Sequence, residues 1–269
     1  MKRLPLFASL VLLALCPLAA ATAQIALVSD AVAERDAEPG QTYQTRLLIR
    51  NVSQVPQDVR VYQTDYLFTA DGRTLYGTPG TTPRSNAKWV ALSQSYLTIP
   101  PETTVPVLCT IAVPTDTTLR GTYWSMVMVE GVSIGTPDAG KPNARVQVGL
   151  SVVTRYGTQI ATNIGTTGVS KLAFDSLTAT TDKDGHHGLR FDFINTGERA
   201  HRFNMSLELY NAAGELVTKA AQSRGLLYPG TAARQVFDVG TVPPGAYTAV
   251  LVADGGGDQV FGGQFKISY

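Results

Sequence analysis

Apolar residues fall on every second position in short runs spread along the whole chain: Tyr43 to Ile49, Val59 to Tyr66, Val105 to Val113, Tyr123 to Glu130, Leu189 to Ile194, Phe203 to Tyr210, Gln235 to Val239 and Tyr247 to Asp254. A period of two sends alternate side chains to opposite faces, so each run predicts a β-strand with one buried side. Between the runs stand Pro39-Gly40, Asp71-Gly72, Asp184-Gly185, Asn211 to Gly214, Pro229-Gly230 and Asp254-Gly255, the residue types that tight turns require. Helical periodicity is almost absent, and the predicted class is all-β.

The pattern repeats on a larger scale. Asn51 is followed by Tyr66 at the end of RNVSQVPQDVRVYQTDY, and Asn195 is followed at the same spacing by Tyr210 at the end of INTGERAHRFNMSLELY. Each copy continues through a short turn (Asp71-Gly72, Ala213-Gly214) to a further strand. Each later opens an alternating run with Gly-x-Tyr, GTYWSMVMVE from Gly121 and GAYTAVLVAD from Gly245. One Ig-like β-sandwich used twice in tandem is the architecture this predicts, with domains over 24–163 and 164–269. The first copy is longer, mainly through a polar, Gly- and Pro-rich connection over 76–94.

Composition places the chain in a compartment. Residues 1–23 begin with Lys2 and Arg3, continue through LPLFASLVLLALCPLAA and end in Ala21-Thr22-Ala23, the layout of a secretory signal peptide, so the mature chain is expected to start at Gln24. Leu15 and Pro17 flank Cys16 where a lipid-attachment site needs small residues, which favours ordinary cleavage. The expected location is therefore beyond the cytoplasmic membrane, in a periplasm or at a cell surface. With 22 Lys and Arg against 21 Asp and Glu, there is no basic excess of the kind that binds nucleic acid or anionic lipid. No later apolar run reaches the roughly 20 residues that span a bilayer. Without Cys16 the remaining thiol, Cys109, has no internal disulfide partner. It sits in the series Val105, Val107, Cys109, Ile111, Val113 and is expected to be a small core hydrophobe.

Catalytic chemistry is not indicated. No Gly-x-Ser-x-Gly turn is present, and all three histidines, His186, His187 and His201, belong to the second copy. Asp182-Lys183-Asp184-Gly185-His186-His187 lacks the acidic twelfth position of a calcium loop, where Phe193 stands, and reads as a solvated hairpin turn. No catalytic residue, metal site or cofactor is expected, and the function classes left are those that bind.

Two candidate surfaces follow. Ala144 to Thr162 is long for one strand, with Val146, Val148, Leu150 and Val152 on one side. At a sheet edge it could pair with an incoming chain while these four fill a groove, or it could be an ordinary inner strand. In the long connection, Arg84, Asn86, Lys88 and Trp89 could grip a wall polysaccharide, Trp89 by stacking on a sugar ring; alternatively Trp89 folds inward to cap the sandwich. Trp124, Met126 and Met128 form a soft row on one side of their strand, to be covered by a neighbouring element or left as a contact patch.

The stretch from PGQTYQTRLLIRNVS through DGRTLY to WVALSQSYLTIPPETTVPVLCTIAVPTDTTLRGTYW resembles the Ig-like domain of WxL-type surface proteins, which engage peptidoglycan. It also resembles the amino-terminal domain of periplasmic pilus chaperones, which carry two Ig-like domains behind a signal peptide. The chaperone resemblance implies a non-enzymatic helper that lends the strand 144–153 to an incomplete envelope or surface subunit, with basic residues in the interdomain cleft holding the subunit's terminal carboxylate. Arg155 is the nearest match for the strand-borne basic residue. The first strand, IALVSDAVAER, carries no basic residue before Arg35, and the expected Pro-Pro turn is absent from GVSIGTP. The WxL resemblance implies instead a wall-binding module with a polysaccharide partner. A protein-binding envelope protein is the leading expectation, polysaccharide recognition the second and an enzyme the third.

Overall fold

A computed structural model describes residues 24–132 and 153–269; residues 1–23, and with them the expected signal peptide, lie outside it, as do Val146, Val148, Leu150 and Val152. Ten strands come first: β1 (Ile25–Leu27), β2 (Val32–Ala37), β3 (Thr42–Asn51), β4 (Gln57–Phe68), β5 (Thr74–Gly77), β6 (Val90–Leu92), β7 (Tyr96–Ile99), β8 (Thr104–Ala112), β9 (Gly121–Gly131) and β10 (Arg155–Ile164). They form one sheet in the order β1-β3-β8-β6 and a second in the order β2-β10-β9-β4-β5, with β7 also beside β4. Seven more follow: β11 (Leu172–Thr181), β12 (His187–Asn195), β13 (His201–Tyr210), β14 (Leu216–Leu227), β15 (Ala232–Gly240), β16 (Ala246–Asp254) and β17 (Val260–Ser268). These make the sheets β11-β12-β15 and β14-β13-β16-β17. The chain is thus an all-β pair of Ig-like sandwiches in tandem, and the described residues add one helical element, the 3-10 turn Ala87–Trp89.

The repeat seen in the sequence is a repeat of topology. The run β10-β9-β4-β5 has its counterpart in β17-β16-β13-β14, and β1-β3-β8 in β11-β12-β15. The two asparagines explain why the spacing recurs. Asn51 is fully buried and its Nδ2 donates to the carbonyls of Val55, Ile99 and Pro100, while its Oδ1 accepts from Ser53 N. Asn195, also buried, donates to Arg199 O and Leu227 O and accepts from Gly197 N. In both copies one side chain ties the turn that follows it to the strand crossing below, satisfying backbone groups that burial would otherwise leave unpaired.

Alternation then fills the cores. Leu47, Ile49, Val59, Val107, Cys109, Ile111, Val127, Val129 and Ile160 meet between the first pair of sheets, all without solvent exposure. Each such side chain contributes about 1.5–3 kcal/mol relative to exposure. Cys109 sits among them as expected, and burial pushes its thiol up to about 12. Leu189, Phe191, Phe237, Leu209 and Leu251 do the same in the second sandwich.

Two features were not anticipated. The chain leaves the first sheet after β1 and joins the other sheet as β2, parallel to β10, although three of the six residues of VAERDA are charged. A third buried cluster, Trp124, Ala161, Ala200, Leu226 and Tyr228, joins the two sandwiches. The Trp124 and Tyr228 rings stack with centroids 4.7 Å apart, and Tyr228 Oη donates to Gln159 Oε1 at 2.7 Å. Hydrogen bonds reinforce the joint: Thr122 N donates to Glu198 O, and the Arg199 side chain donates to the carbonyls of Gly165 and Thr167. Arg84–Glu198 and Arg202–Glu34 are ion pairs across the same junction.

Candidate functional site

The first candidate surface is anchored by β9 and β10. Their antiparallel pairing runs from Arg155↔Glu130 to Ile164↔Gly121 without interruption. On its other side, β10 pairs with β2 only from Gln159↔Val32 to Ile164↔Ala37. Gln159 N donates to Ala31 O and Gly165 N to Ala37 O, so the odd-numbered residues of β10 turn their backbone groups toward β2. By the same alternation Arg155 and Gly157 turn theirs outward beyond the point where β2 begins, and there they have no backbone partner among the described residues. The open edge leads directly toward 146–152, the stretch singled out in the sequence, which lies outside the described residues. The expected single strand from Ala144 is therefore described only from Arg155 onward.

The surface beside this edge is specific. Arg155 Nε donates to Glu130 Oε2 at 2.6 Å, Arg60 Nη2 approaches Glu130 Oε1 at 3.2 Å, and Tyr62 Oη donates to Glu130 Oε2. Partial burial works to raise the Glu130 carboxyl, but the Arg155 and Tyr62 hydrogen bonds and the two guanidinium charges outweigh it and hold the group below the usual carboxylate range. One carboxylate shared by two arginines leaves a net positive charge where β10 emerges.

Gly157 lies over Met126 and Met128: a Cβ there would stand 2.5 Å from one thioether sulfur and 3.1 Å from the other. The missing side chain lets both methionines, 6% and 7% exposed, lie flat across β10. The soft row is covered within the protein, Trp124 by Tyr228 and the methionines along the Gly157 backbone.

The long connection is held by a carboxylate that the sequence reading did not single out. Asp65, 1% exposed, accepts from the backbone N–H groups of Gly80, Thr81 and Thr82 and from the hydroxyls of Thr81 and Ser85. Burial alone would raise its pKa, but these donors outweigh it and lower the group below its ordinary value. A lone Asp in the middle of a strand gives no such signal, because its partners come from a loop fifteen and more residues away.

The four candidates carried by this connection part company. Asn86 is fully buried, with Nδ2 donating to Ile160 O and Thr162 Oγ1. Arg84 donates to Arg120 O and pairs with Glu198. Trp89 packs on the first core with its ring 4.8 Å from Tyr123. Lys88 is exposed, its stem lying over Gly80, where only a residue without a side chain fits. Three of the four spend their polar or aromatic groups inside the protein, and no shared ligand-facing surface brings them together.

In the second sandwich, Asp182 Oδ1 accepts from the N–H groups of Asp184 and His186, which makes that stretch a hairpin turn. His187 and His201 lie apart, one against Tyr269 and the other bonded to Ser170 Oγ.

No protein-family model matches the chain, and neither does any curated protein sequence. Among solved structures it is similar to the class 5 fimbriae chaperone CfaA, at 12% identity over 89% of this chain and 98% of that one, with a TM-score of 0.46. It is also similar to the Pseudomonas aeruginosa CupB2 chaperone, at 11% identity over 90% of this chain and 99% of that one, TM-score 0.40. For the E. coli chaperone DraB the identity is 11%, over 90% of this chain and 96% of that one, with a TM-score of 0.40.

Proposed function

We propose that this chain is a non-enzymatic envelope protein that binds a protein subunit by strand addition at the amino-terminal end of β10, in the manner of a pilus chaperone. One observation carries the reading. β10 is paired on both sides from Gln159 to Ile164, but from Arg155 to Gly157 its one strand partner among the described residues is β9. An extended segment laid beside Arg155 and Gly157 would take up their outward N–H and C=O groups, and backbone pairing would supply the affinity. In this reading Val146, Val148, Leu150 and Val152 continue the edge and fill the partner's groove. The Arg60–Glu130–Arg155 cluster fixes the point at which the partner strand begins.

The cleft differs in one respect from the resemblance. Where a chaperone-like cleft would offer a basic residue on its first strand, this chain presents Glu34, paired with Arg202 of the second sandwich and bonded to Asn163. Partner selection in this reading rests on the strand edge and not on a carboxylate clamp at the cleft base.

Photo-crosslinking tests the proposal. With a photoreactive side chain at the exposed Val153, the chain expressed in its own cells should crosslink to a protein subunit. Arg155→Ala, which keeps the backbone N–H, should preserve that crosslink. Arg155→Pro, which removes an N–H that β9 does not use, should abolish it while leaving the thermal transition near that of Arg155→Ala. Equal crosslinking in Arg155→Pro and Arg155→Ala would refute strand addition here.

A further inference from the structure

The two copies of the blueprint differ at one edge. In the second sandwich, β11 runs along the whole of β12, from Leu172↔Asn195 to Thr181↔His187 with a bulge between Asp175 and Thr178. In the first, the equivalent β1 covers only Asn51, Arg50 and Ile49 of β3, and a final bond from Val28 N to Leu48 O precedes the departure to β2. Aligning the copies on Asn51 and Asn195 sets Tyr43, Gln44, Thr45 and Arg46 at the positions of His187, Gly188, Leu189 and Arg190. Those second-copy residues are the ones that pair with Thr181, Thr180, Ala179 and Thr178. The first copy has the acceptor strand, and among the described residues no strand covers it beyond β1.

The uncovered edge has its backbone groups turned outward. Val113 N donates to Gln41 O, which directs the odd-numbered residues of β3 toward β8; Gln44 and Arg46 therefore turn their N–H and C=O groups away from β8, where they have no partner among the described residues. Facing them is β2, whose odd-numbered residues bond β10 and whose Val32 and Glu34 turn their backbone groups to the same side. Between the two edges is a groove of about 660 Å3, lined by Ala33, Tyr43, Thr45, Thr158 and Ser29, whose Oγ is buried and has no partner among the described residues. Thr45 stays partly exposed where its counterpart Leu189 is fully buried, as expected if the one site lacks the strand that seals the other. Arg35 and Arg46 border the groove without an ion-pair partner among the described residues.

We infer that this groove is a second strand-acceptor site, separate from the β10 edge, that takes an extended polypeptide segment from a partner. Its required chemistry is written in the chain's own β11. Ala179, which points at the core beside Leu189, sets a small apolar residue opposite Thr45; Thr178 and Thr180 set β-branched polar residues opposite Arg46 and Gln44. Asp30 and Glu34 also line the groove, Glu34 already paired with Arg202, so an acidic residue at the end of the segment is matched to Arg46. The site thus fits a short, Thr- and Ala-rich segment with a carboxylate at one end, antiparallel to β3.

A peptide with the sequence of Ser176 to Asp182, SLTATTD, blocked at both ends, is the direct probe, added to the isotope-labelled full-length mature protein and followed by amide exchange and chemical shift. Slowed exchange and shifted resonances at Gln44 and Arg46 are expected. Gln44→Pro, which removes one outward N–H and no bond to β8, should weaken binding about fivefold to tenfold, as for one lost backbone hydrogen bond. A peptide N-methylated at the two threonines that carry the pairing N–H groups should fail to bind the unsubstituted protein, which keeps the test intact if Gln44→Pro folds poorly. Four results overturn the inference: no response at Gln44 and Arg46, slow exchange of those two amides before peptide is added, perturbation confined to Ile49–Asn51 through displacement of β1, or a response only at Arg155–Gly157. The last would leave the strand-addition reading of β10 standing while removing this site.

Discussion

Asn51 and Asn195 show how a single side chain fixes local geometry. Each is buried, each accepts from the N–H two residues on, and each donates to the carbonyl four residues on and to a distant strand. Replacing either by alanine strands two or more buried carbonyls, so Asn195→Ala should lose about 3 kcal/mol of stability in chemical denaturation. Loss confined to the second sandwich's transition is the expected pattern. The pair was legible in the sequence because the same residue recurs at the same distance from a tyrosine. Asp65 was not legible, since its five donors belong to a connection whose path the sequence does not state. Its carboxyl is held below its ordinary value, so the stabilisation it provides is present above the unfolded carboxylate pKa and is lost as pH falls below about 4 through the lower folded value. Thermal melts from pH 6 down to pH 2 should show an acid-induced loss that is smaller in Asp65→Asn, which starts out less stable at neutral pH. An identical pH profile in the two proteins would contradict the assignment.

At the scale of elements, strand positions followed from period-two alternation, and the runs from Tyr43, Val59, Val105, Tyr123, Leu189, Phe203, Gln235 and Tyr247 all lie in strands or reach one residue past a strand end. The stretch IALVSDAVAER, read as one first strand, is split between two sheets, because the pairing of its second part as β2 depends on a neighbour. Its charged residues face solvent and the opposite sandwich, and parallel pairing with β10 is what assigns VAERDA to the second sheet. That detour covers β10 from Gln159 to Ile164 and, among the described residues, leaves β3 uncovered beyond β1. β10 further depends on Gly157, where a side chain would displace the sulfurs of Met126 and Met128. Gly157→Leu should cost about 1–3 kcal/mol through overpacking. Restoration of stability by a compensating Met126→Ala, measured as a double-mutant cycle, would confirm that the thioethers are what the new side chain meets.

The whole molecule depends on the junction that the sequence reading left open. Trp124 was expected to be covered or to form a contact patch; it is covered by Tyr228 from the other sandwich, a pairing across more than a hundred residues that no local pattern announces. Glu198 adds a close fit, since a Cβ at Gly121, itself at φ 70, would fall 2.0 Å from the Glu198 carbonyl oxygen. Tyr228→Ala removes the stack and the bond to Gln159 and should cost about 3–5 kcal/mol of stability. Small-angle scattering should then show a broader distribution of interdomain distances, with each sandwich still folded by circular dichroism. An unchanged scattering profile would mean that the backbone and Arg199 bonds alone set the geometry.

Everything proposed for the β10 edge reduces to whether the backbone groups of Arg155 and Gly157 are free. Residue-resolved amide exchange on the isolated full-length mature protein measures this directly. The account predicts fast exchange at Arg155 and Gly157 beside slow exchange at Gln159, Ala161 and Asn163 on the same strand, where β2 takes up the N–H groups. Protection of Arg155 and Gly157 equal to that of the other three, with no partner present, would contradict it.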